Sequence, residues 1–292
     1  MIWLAGASGM LGSEVAGALT AARLPWIGTG REVDVTDAGA IVKFTAKKNI
    51  DWIINCSAYT AVDRAEDEPD ACRRLNAAAP GLLARWAAQH GAAMLQVSTD
   101  YVFSGLGSRP YLEEDLIGPR SVYGATKAEG EAAVREFCPR HLIVRTAWLY
   151  GASGPNFVYT MLRLMRVKDR LGIVHDQKGA PTWTADLARL FPVLIGSAEG
   201  RWGTYHASGE GQCTWYEFAR AIQEEAIKQS LLARRIELAP LTTAEYPTKA
   251  VRPAWSVLSK TKLLEQFGFA FPSWDDSLRS FFRSPLQERF FA

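Results

Sequence analysis

Cysteine and histidine are scarce in this chain: 292 residues hold four of each (Cys56, Cys72, Cys138, Cys213; His90, His141, His175, His206), with no C-x-x-C pair. A disulfide scaffold and a zinc site are therefore not expected, a histidine-centred mechanism has little to draw on, and the thiols read as reduced core residues. Charge of one sign is lacking too. Lys plus Arg number 33 against 31 Asp plus Glu, a formal +2, without a run of five or six like charges. Nucleic acid and anionic membrane surfaces are not predicted partners. No apolar run approaches the roughly 18 residues of a membrane span, and Met1 enters a strand-like run without a signal peptide's basic n-region, so a cytoplasmic protein is expected. Internal repeats and low-complexity tracts are missing.

What remains is an ordinary globular composition, long enough for one large α/β domain or two unequal lobes. Ile2-Trp3-Leu4-Ala5 is an apolar run that stops at Gly6-Ala7-Ser8-Gly9-Met10-Leu11-Gly12, and Ser13 to Arg23 then shows helical spacing. Strand, glycine turn and helix in that order bring backbone N–H groups and a helix N-terminus up to a pyrophosphate, which predicts a dinucleotide. The next strand, Pro25 to Gly28, runs into Thr29-Gly30-Arg31, where an NAD-binding fold usually has an acid. Arg31 could meet a 2′-phosphate instead, tilting the cofactor to NADPH with NADH still open. Asp34 and Val35 could border an adenine, and Thr36 or Asp37 could cap the helix that follows.

Asp51 to Cys56 reads as a buried strand, and Ser57 to Asp63, with Ala58, Tyr59 and Thr60, as a cofactor wall beyond its carboxyl end. The alanine-rich stretch from about Pro69 to Gly91 reads as a featureless scaffold helix. Ala92 to Val97 forms a strand ending in Ser98-Thr99-Asp100-Tyr101, polar groups suited either to a ligand oxygen or to turn chemistry. Tyr123 and Lys127 lie four apart in a predicted helix, so phenol and ammonium share one face. A nearby cation brings a phenol with a pKa of about 10 toward useful acid-base range, although this spacing also occurs on many surface helices. His141 to Arg145 is a further strand. Alternating strands and helices predict a Rossmann-type, doubly wound parallel sheet with a smaller α/β substrate lobe. Residues 1–150 with a return passage at about 184–207 would bind the dinucleotide, and about 151–183 with 208–292 a nucleotide sugar. Thr214 and Glu217 stand at capping-box spacing.

Glycine turn, Ser98-Thr99 and Tyr123-x-x-x-Lys127 follow the order of the short-chain dehydrogenase/reductase superfamily. Val97 to Phe103, Cys56 to Asp63, Arg145 to Tyr150, Gly179 to Thr182 and Trp215 to Ala219 resemble the dTDP-4-dehydrorhamnose reductases, and the similarity spans essentially the whole chain. The resemblance implies reduction of the C4 ketone of dTDP-4-dehydro-β-L-rhamnose, with Tyr123 as general acid, Lys127 on the cofactor ribose and lowering the tyrosine pKa, and Thr99 on the ketone oxygen. It implies sugar contacts from Asp100, Tyr101, Trp148, Pro181 and Thr182. Cofactor contacts fall to Gly6, Gly9, Met10, Leu11, Gly12, Asp34, Val35, Ala58, Tyr59, Thr60 and Val97. The resemblance is also compatible with a homodimer and with the magnesium ion that some family members carry between subunits, whose ligands are not mapped onto this sequence. Trp255 departs from the family pattern, which has Asn in Arg252-Pro253-Ala254-Trp255-Ser256. A 4,6-dehydratase would carry Glu where Tyr101 stands. An epimerase would not consume NADPH, a related 4-keto-6-deoxysugar reductase would deliver hydride to the other face, and a non-catalytic NADP-binding subunit would not need Thr99, Tyr123 and Lys127.

Overall fold

The sheet is built outward from Ile2–Ala5 (β1), whose four residues are all buried. Ile2 and Leu4 enter the apolar core on one face and Trp3 and Ala5 the core on the other, so the strand has no solvent side and no polar alternation. In this computed structural model, which describes residues 1–284, β1 pairs in parallel with Trp26–Thr29 (β2) and with Trp52–Asn55 (β3). Beyond β3 come Ala93–Thr99 (β4), His141–Thr146 (β5) and, at the edge, Gly203–His206, all parallel. The order is β2-β1-β3-β4-β5 and then 203–206. The chain winds outward from β1 to β2 and then returns across β1 to β3, so a crevice opens at the carboxyl ends of β1 and β3.

Helix α1 (Met10–Ala21) and the Thr184–Ser197 helix cover one face, sharing a core through Leu11, Val15, Leu187 and Phe191. The Ala79–Gln89 and Val122–Phe137 helices cover the other through Leu83, Trp86 and Val134. A third core, with Tyr150, Phe218, Ile222 and Phe281, joins the helices Phe157–Val167, Trp215–Lys228 and Trp274–Arg283 into a separate lobe. Thr214 and Glu217 form the expected capping box, and Asp37 caps the Ala38–Thr45 helix by accepting from Gly39 N. Residues 285–292, assigned to the lobe on sequence, lie outside the described residues.

Outside the main sheet, Glu237–Leu241 pairs in parallel with Arg170–Val174, a pair that the sequence does not announce. Both strands are half exposed, and Pro240 interrupts the pattern, which marks edge strands that carry little apolar signal.

Candidate active site

The turn after β1 is shaped by what glycine omits. Gly6 has φ +80°, and a Cβ there would lie 2.7 Å from Ser57 N in the loop after β3. A Cβ on Gly12 would lie 2.0 Å from the Gly6 carbonyl oxygen. Strand, turn and helix therefore pack at backbone distance, and the turn faces the crevice between β1 and β3. Gly9 is the N-cap of α1 and makes no side-chain cap bond, so the first-turn N–H groups at Met10 and Leu11 are presented to a ligand. Ser13 Oγ lies 3.5 Å from Ser153 Oγ, and a cavity of about 450 Å³ lined by Ser153, Asn156, Tyr159 and Arg163 opens beside this turn. This cradle fits the pyrophosphate of a dinucleotide.

At the end of β2 Arg31 is exposed, and an acid that the sequence reading missed is present. The Glu32 carboxylate folds back, accepting from Gly30 N at 2.6 Å, and the bond holds its pKa below the usual range. A Cβ on Gly30 would lie 2.9 Å from both Glu32 Oε2 and Ser8 Oγ. Glu32 thus fills the place of an acidic side chain at residue 30. The local signal was Gly30 itself, which leaves the room. Asp34 is turned onto Thr36, accepting from its N at 2.8 Å and its Oγ1 at 2.7 Å, while Val35 is packed into the core beneath.

The loop Ser57 to Asp63 is held from behind. Tyr59 N donates to Asn76 Oδ1 at 2.8 Å, and Asn76 Nδ2 donates back to Tyr59 O at 3.0 Å. Asn76 sits in a π turn, Arg74–Ala78, that interrupts the helical stretch from Pro69 to Gln89. That stretch is not featureless. Its one buried amide fixes the loop expected to wall the cofactor, and the only sequence signal was an Asn among alanines.

The Val122–Phe137 helix, capped by Ser121, brings Tyr123 and Lys127 beneath the end of β4. Thr99, 5 % exposed, sits close enough to act on the Tyr123 phenol and donates to Asp100 Oδ1 at 2.9 Å. Burial raises the Tyr123 pKa, with Asp100 adding to the rise and Thr99 opposing it, so the phenol is protonated. Lys127 donates to Val97 O at 2.6 Å, and burial pulls its pKa down to about 8 against the opposing charge of Glu131. The expected lowering of the phenol by Lys127 is not found among the groups that act on it, and burial leaves Tyr123 in the form a general acid needs. Asp100 is 2 % exposed, and its Oδ2 has no hydrogen-bond partner among the described residues. Burial raises the Asp100 carboxyl to about 6; the nearby Ser256 hydroxyl and Thr99 offset part of the rise. An unsatisfied buried acceptor beside Thr99 would gain from a ligand hydroxyl that reaches it when the pocket opens to substrate.

Tyr101 packs edge-on against Tyr123, ring centroids 5.5 Å apart, and its hydroxyl accepts from Arg252 Nη1 at 3.2 Å. Arg252 Nη2 also pairs with Asp63 at 2.6 Å, tying the C-terminal segment to the cofactor-side loop. Trp255, the departure from the family pattern, donates from Nε1 to Arg109 O at 2.8 Å and so pins the loop after Gly105. Trp148 has φ +49°, unusual for a bulky residue, and stacks on Trp215 with centroids 3.5 Å apart. A Cβ on Gly179 would lie 2.4 Å from the Trp148 ring. The indole is thus stacked on Trp215 and approached by the Gly179 backbone at its Nε1–Cε2 end. Pro181 and Thr182 are buried behind it, with Thr182 N donating to Trp148 O at 3.2 Å and Thr182 Oγ1 accepting from Gly209 N at 3.1 Å. Among the described residues no group of three or more His, Cys, Asp or Glu could hold a metal ion.

Sheet order and glycine cradle, with Tyr123 and Lys127 below β4, define the class: a Rossmann-type reductase of the short-chain dehydrogenase kind. The sequence profile of the RmlD substrate binding domain matches residues 1–286. A dTDP-4-dehydrorhamnose reductase of Streptomyces griseus is 45 % identical over 269 residues, covering 89 % of this chain and 86 % of the relative. The structure of a dTDP-4-dehydrorhamnose reductase from Clostridium acetobutylicum superposes with TM-score 0.90 at 40 % identity, covering 97 % of this chain and 98 % of that one. The Bacillus anthracis dTDP-4-dehydrorhamnose reductase, in complex with NADP, has TM-score 0.90 at 35 % identity, with the same two coverages of 97 % and 98 %. This chain belongs to the dTDP-4-dehydrorhamnose reductase family.

Proposed function

We propose that this protein reduces the C4 ketone of dTDP-4-dehydro-β-L-rhamnose to dTDP-β-L-rhamnose with NADPH, the last step of dTDP-L-rhamnose biosynthesis. The observation that carries it is the convergence of Thr99, a protonated Tyr123 and Lys127 at the strand end beside the glycine cradle. NADPH would supply the hydride to C4. As charge grows on the ketone oxygen, Tyr123 gives up its proton and Thr99 turns its one hydroxyl hydrogen from Asp100 Oδ1 to that oxygen, both side chains being in place before reaction. Lys127, which uses one N–H on Val97 O, turns its others to the cofactor ribose and stabilises the phenolate left behind. Asp100 Oδ2 accepts from a sugar hydroxyl, and Trp148 offers the pyranose a flat apolar face. Tyr101 closes the pocket edge, with Pro181 and Thr182 backing it.

Gly6, Gly9, Met10, Leu11 and Gly12 would hold the pyrophosphate, Asp34 and Val35 the adenine border, and Ala58, Tyr59, Thr60 and Val97 the nicotinamide side. NADPH is proposed on Arg31 and on the NADP in the Bacillus anthracis relative. The division into a dinucleotide half and a nucleotide-sugar lobe, a homodimer and a cytoplasmic location belong to the same proposal. Tyr101 in place of Glu disfavours elimination by a dehydratase.

Purified protein given dTDP-4-dehydrorhamnose should oxidise NADPH, and product NMR should show the rhamno configuration at C4. Tyr123→Phe should lose about 10²- to 10⁴-fold in kcat while still binding NADPH. Undiminished turnover in that variant would sink the assignment. A talo product would make the protein a reductase of the other stereochemistry, and binding without turnover a regulatory subunit.

A further inference from the structure

Behind Lys127 lies a buried ion network that the reduction chemistry does not use. Glu131, one turn further along the same helix and 0 % exposed, accepts from Arg145 Nε at 2.9 Å and Nη2 at 2.8 Å. It accepts also from Ser98 Oγ at 2.6 Å and Arg135 Nη2 at 2.7 Å. Four charge-directed donors saturate this carboxylate and hold its pKa below the usual range despite complete burial. Ser98 is on β4 beside Thr99, and Arg145 is on β5. Glu131 therefore ties the helix carrying Tyr123 and Lys127 to the strand carrying their partner hydroxyl.

The charges around Lys127 are few. Cys56 after β3 and Cys72 on Pro69–Arg73 are the other titratable groups that act on it, and burial raises both thiols, which are uncharged near neutral pH. On the far side of Arg145, His206 Nε2 faces Arg145 Nη1 at 3.4 Å, and His206 Nδ1 faces Tyr111 O at 3.1 Å. Burial, aided by Arg145, depresses the His206 pKa to about 3, so this ring is neutral, with Nδ1 donating and Nε2 accepting. Glu113 accepts from His206 N at 2.9 Å, and its carbonyl accepts from Arg145 Nη1 at 3.2 Å. Among the described residues Glu131, four positions further along the helix, is left as the one negative charge acting on Lys127, with Arg145 and Arg135 as its counterions.

We propose that Glu131, clamped by Arg145 and Ser98, is a positioning residue that keeps Lys127 charged and in register with Tyr123 and Thr99. A buried lysine loses charge readily, and a carboxylate at i+4 on the same face opposes that loss. Arg145 sets how much of the Glu131 charge Lys127 feels. The two members of one ion pair then act on Lys127 with opposite sign, which a purely structural clamp would not do.

This role presumes the reductase activity proposed above, so two readouts are needed. The first is the pH dependence of NADPH binding by fluorescence titration, and the second that of kcat/KM with dTDP-4-dehydrorhamnose. Both should fall as pH rises through the Lys127 pKa of about 8. Glu131→Gln should move this alkaline limb about one pH unit toward acid. Arg145→Met should move it toward alkali, and the double variant should lie between wild type and Glu131→Gln. Singles that shift the same way, or that lose activity with an unmoved limb, overturn the proposal. Should melting curves show that a single variant fails to fold, the double variant decides, because it removes both members of the Glu131–Arg145 pair and strands neither. An acid shift in it supports the role and an unmoved limb refutes it. If even wild type leaves the keto sugar unreduced, the proposed activity falls, while the NADPH titration still decides the role of Glu131.

Discussion

Two acidic side chains show how environment assigns different work to one functional group. Glu32 is exposed and anchored by a backbone N–H at the end of β2, where the adenosine ribose of a Rossmann cofactor lies. A carboxylate there accepts from a 2′-hydroxyl and repels a 2′-phosphate, whereas Arg31 beside it favours the phosphate. Glu32→Gln should therefore lower kcat/KM for NADH about tenfold and leave NADPH unchanged or improved. Steady-state rates with both cofactors measure this, and an unaltered ratio would remove Glu32 from cofactor choice. Asp100 is the reverse case. It is buried with one oxygen unsatisfied, and its pKa is raised to about 6. A carboxyl whose folded pKa lies above its unfolded one destabilises the fold above that value, and the penalty is relieved as pH falls from 6 toward 4. Asp100→Asn should thus raise the Tm at pH 7.5 by about 2 °C while weakening sugar binding, so that KM for the dTDP-sugar rises and NADPH affinity stays. A lower Tm would contradict the burial argument.

Helix-to-helix distance is set by single glycines. A Cβ on Gly130 would stand 2.1 Å from the Asn76 carbonyl oxygen, a backbone atom that cannot yield without moving the π turn. Gly130→Ala should cost about 1–3 kcal/mol and lower kcat, because it pushes the Tyr123 helix away from the loop that Asn76 holds. Gly17, midway along α1, has open space around its Cβ position, and Gly17→Ala should stabilise by about 0.5–1 kcal/mol. Thermal melts of the two variants should move in opposite directions; equal shifts would mean that packing is not the reason for Gly130. These elements were legible in sequence to different degrees. The apolar runs of β1, β3 and β4 announce buried parallel strands, and Asp37, Ser121 and Thr214 cap where capping chemistry puts them. The edge pair 170–174 and 237–241 escaped detection because half-exposed residues and Pro240 blur its period.

Across the whole molecule, acid sensitivity follows chiefly from His206, with His141, whose pKa burial also lowers, acting in the same sense. His206 is completely buried with its pKa lowered to about 3, so the folded protein refuses a proton that the unfolded chain takes up below about 6.5. Stability should fall as pH drops from 6.5 toward 3. Asp100 acts in the opposite sense but over a smaller displacement, so His206 prevails between them. Tm recorded between pH 7.5 and 5 should decline, and His206→Asn should flatten that decline; an equally steep profile in the variant would locate the sensitivity elsewhere. Sequence alone determined the architecture and the family: period, punctuation and motif order are local properties, so the glycine turn and Tyr123-x-x-x-Lys127 are visible before folding. Only the tertiary structure decided which groups face one another. Glu32 takes the place of a residue 30 side chain, Asn76 grips Tyr59, and Glu131 meets Arg145 and Ser98 across three elements. Such contacts join residues far apart in the chain, and burial then sets the charge states of Tyr123, Lys127 and Asp100, which no spacing along the sequence records.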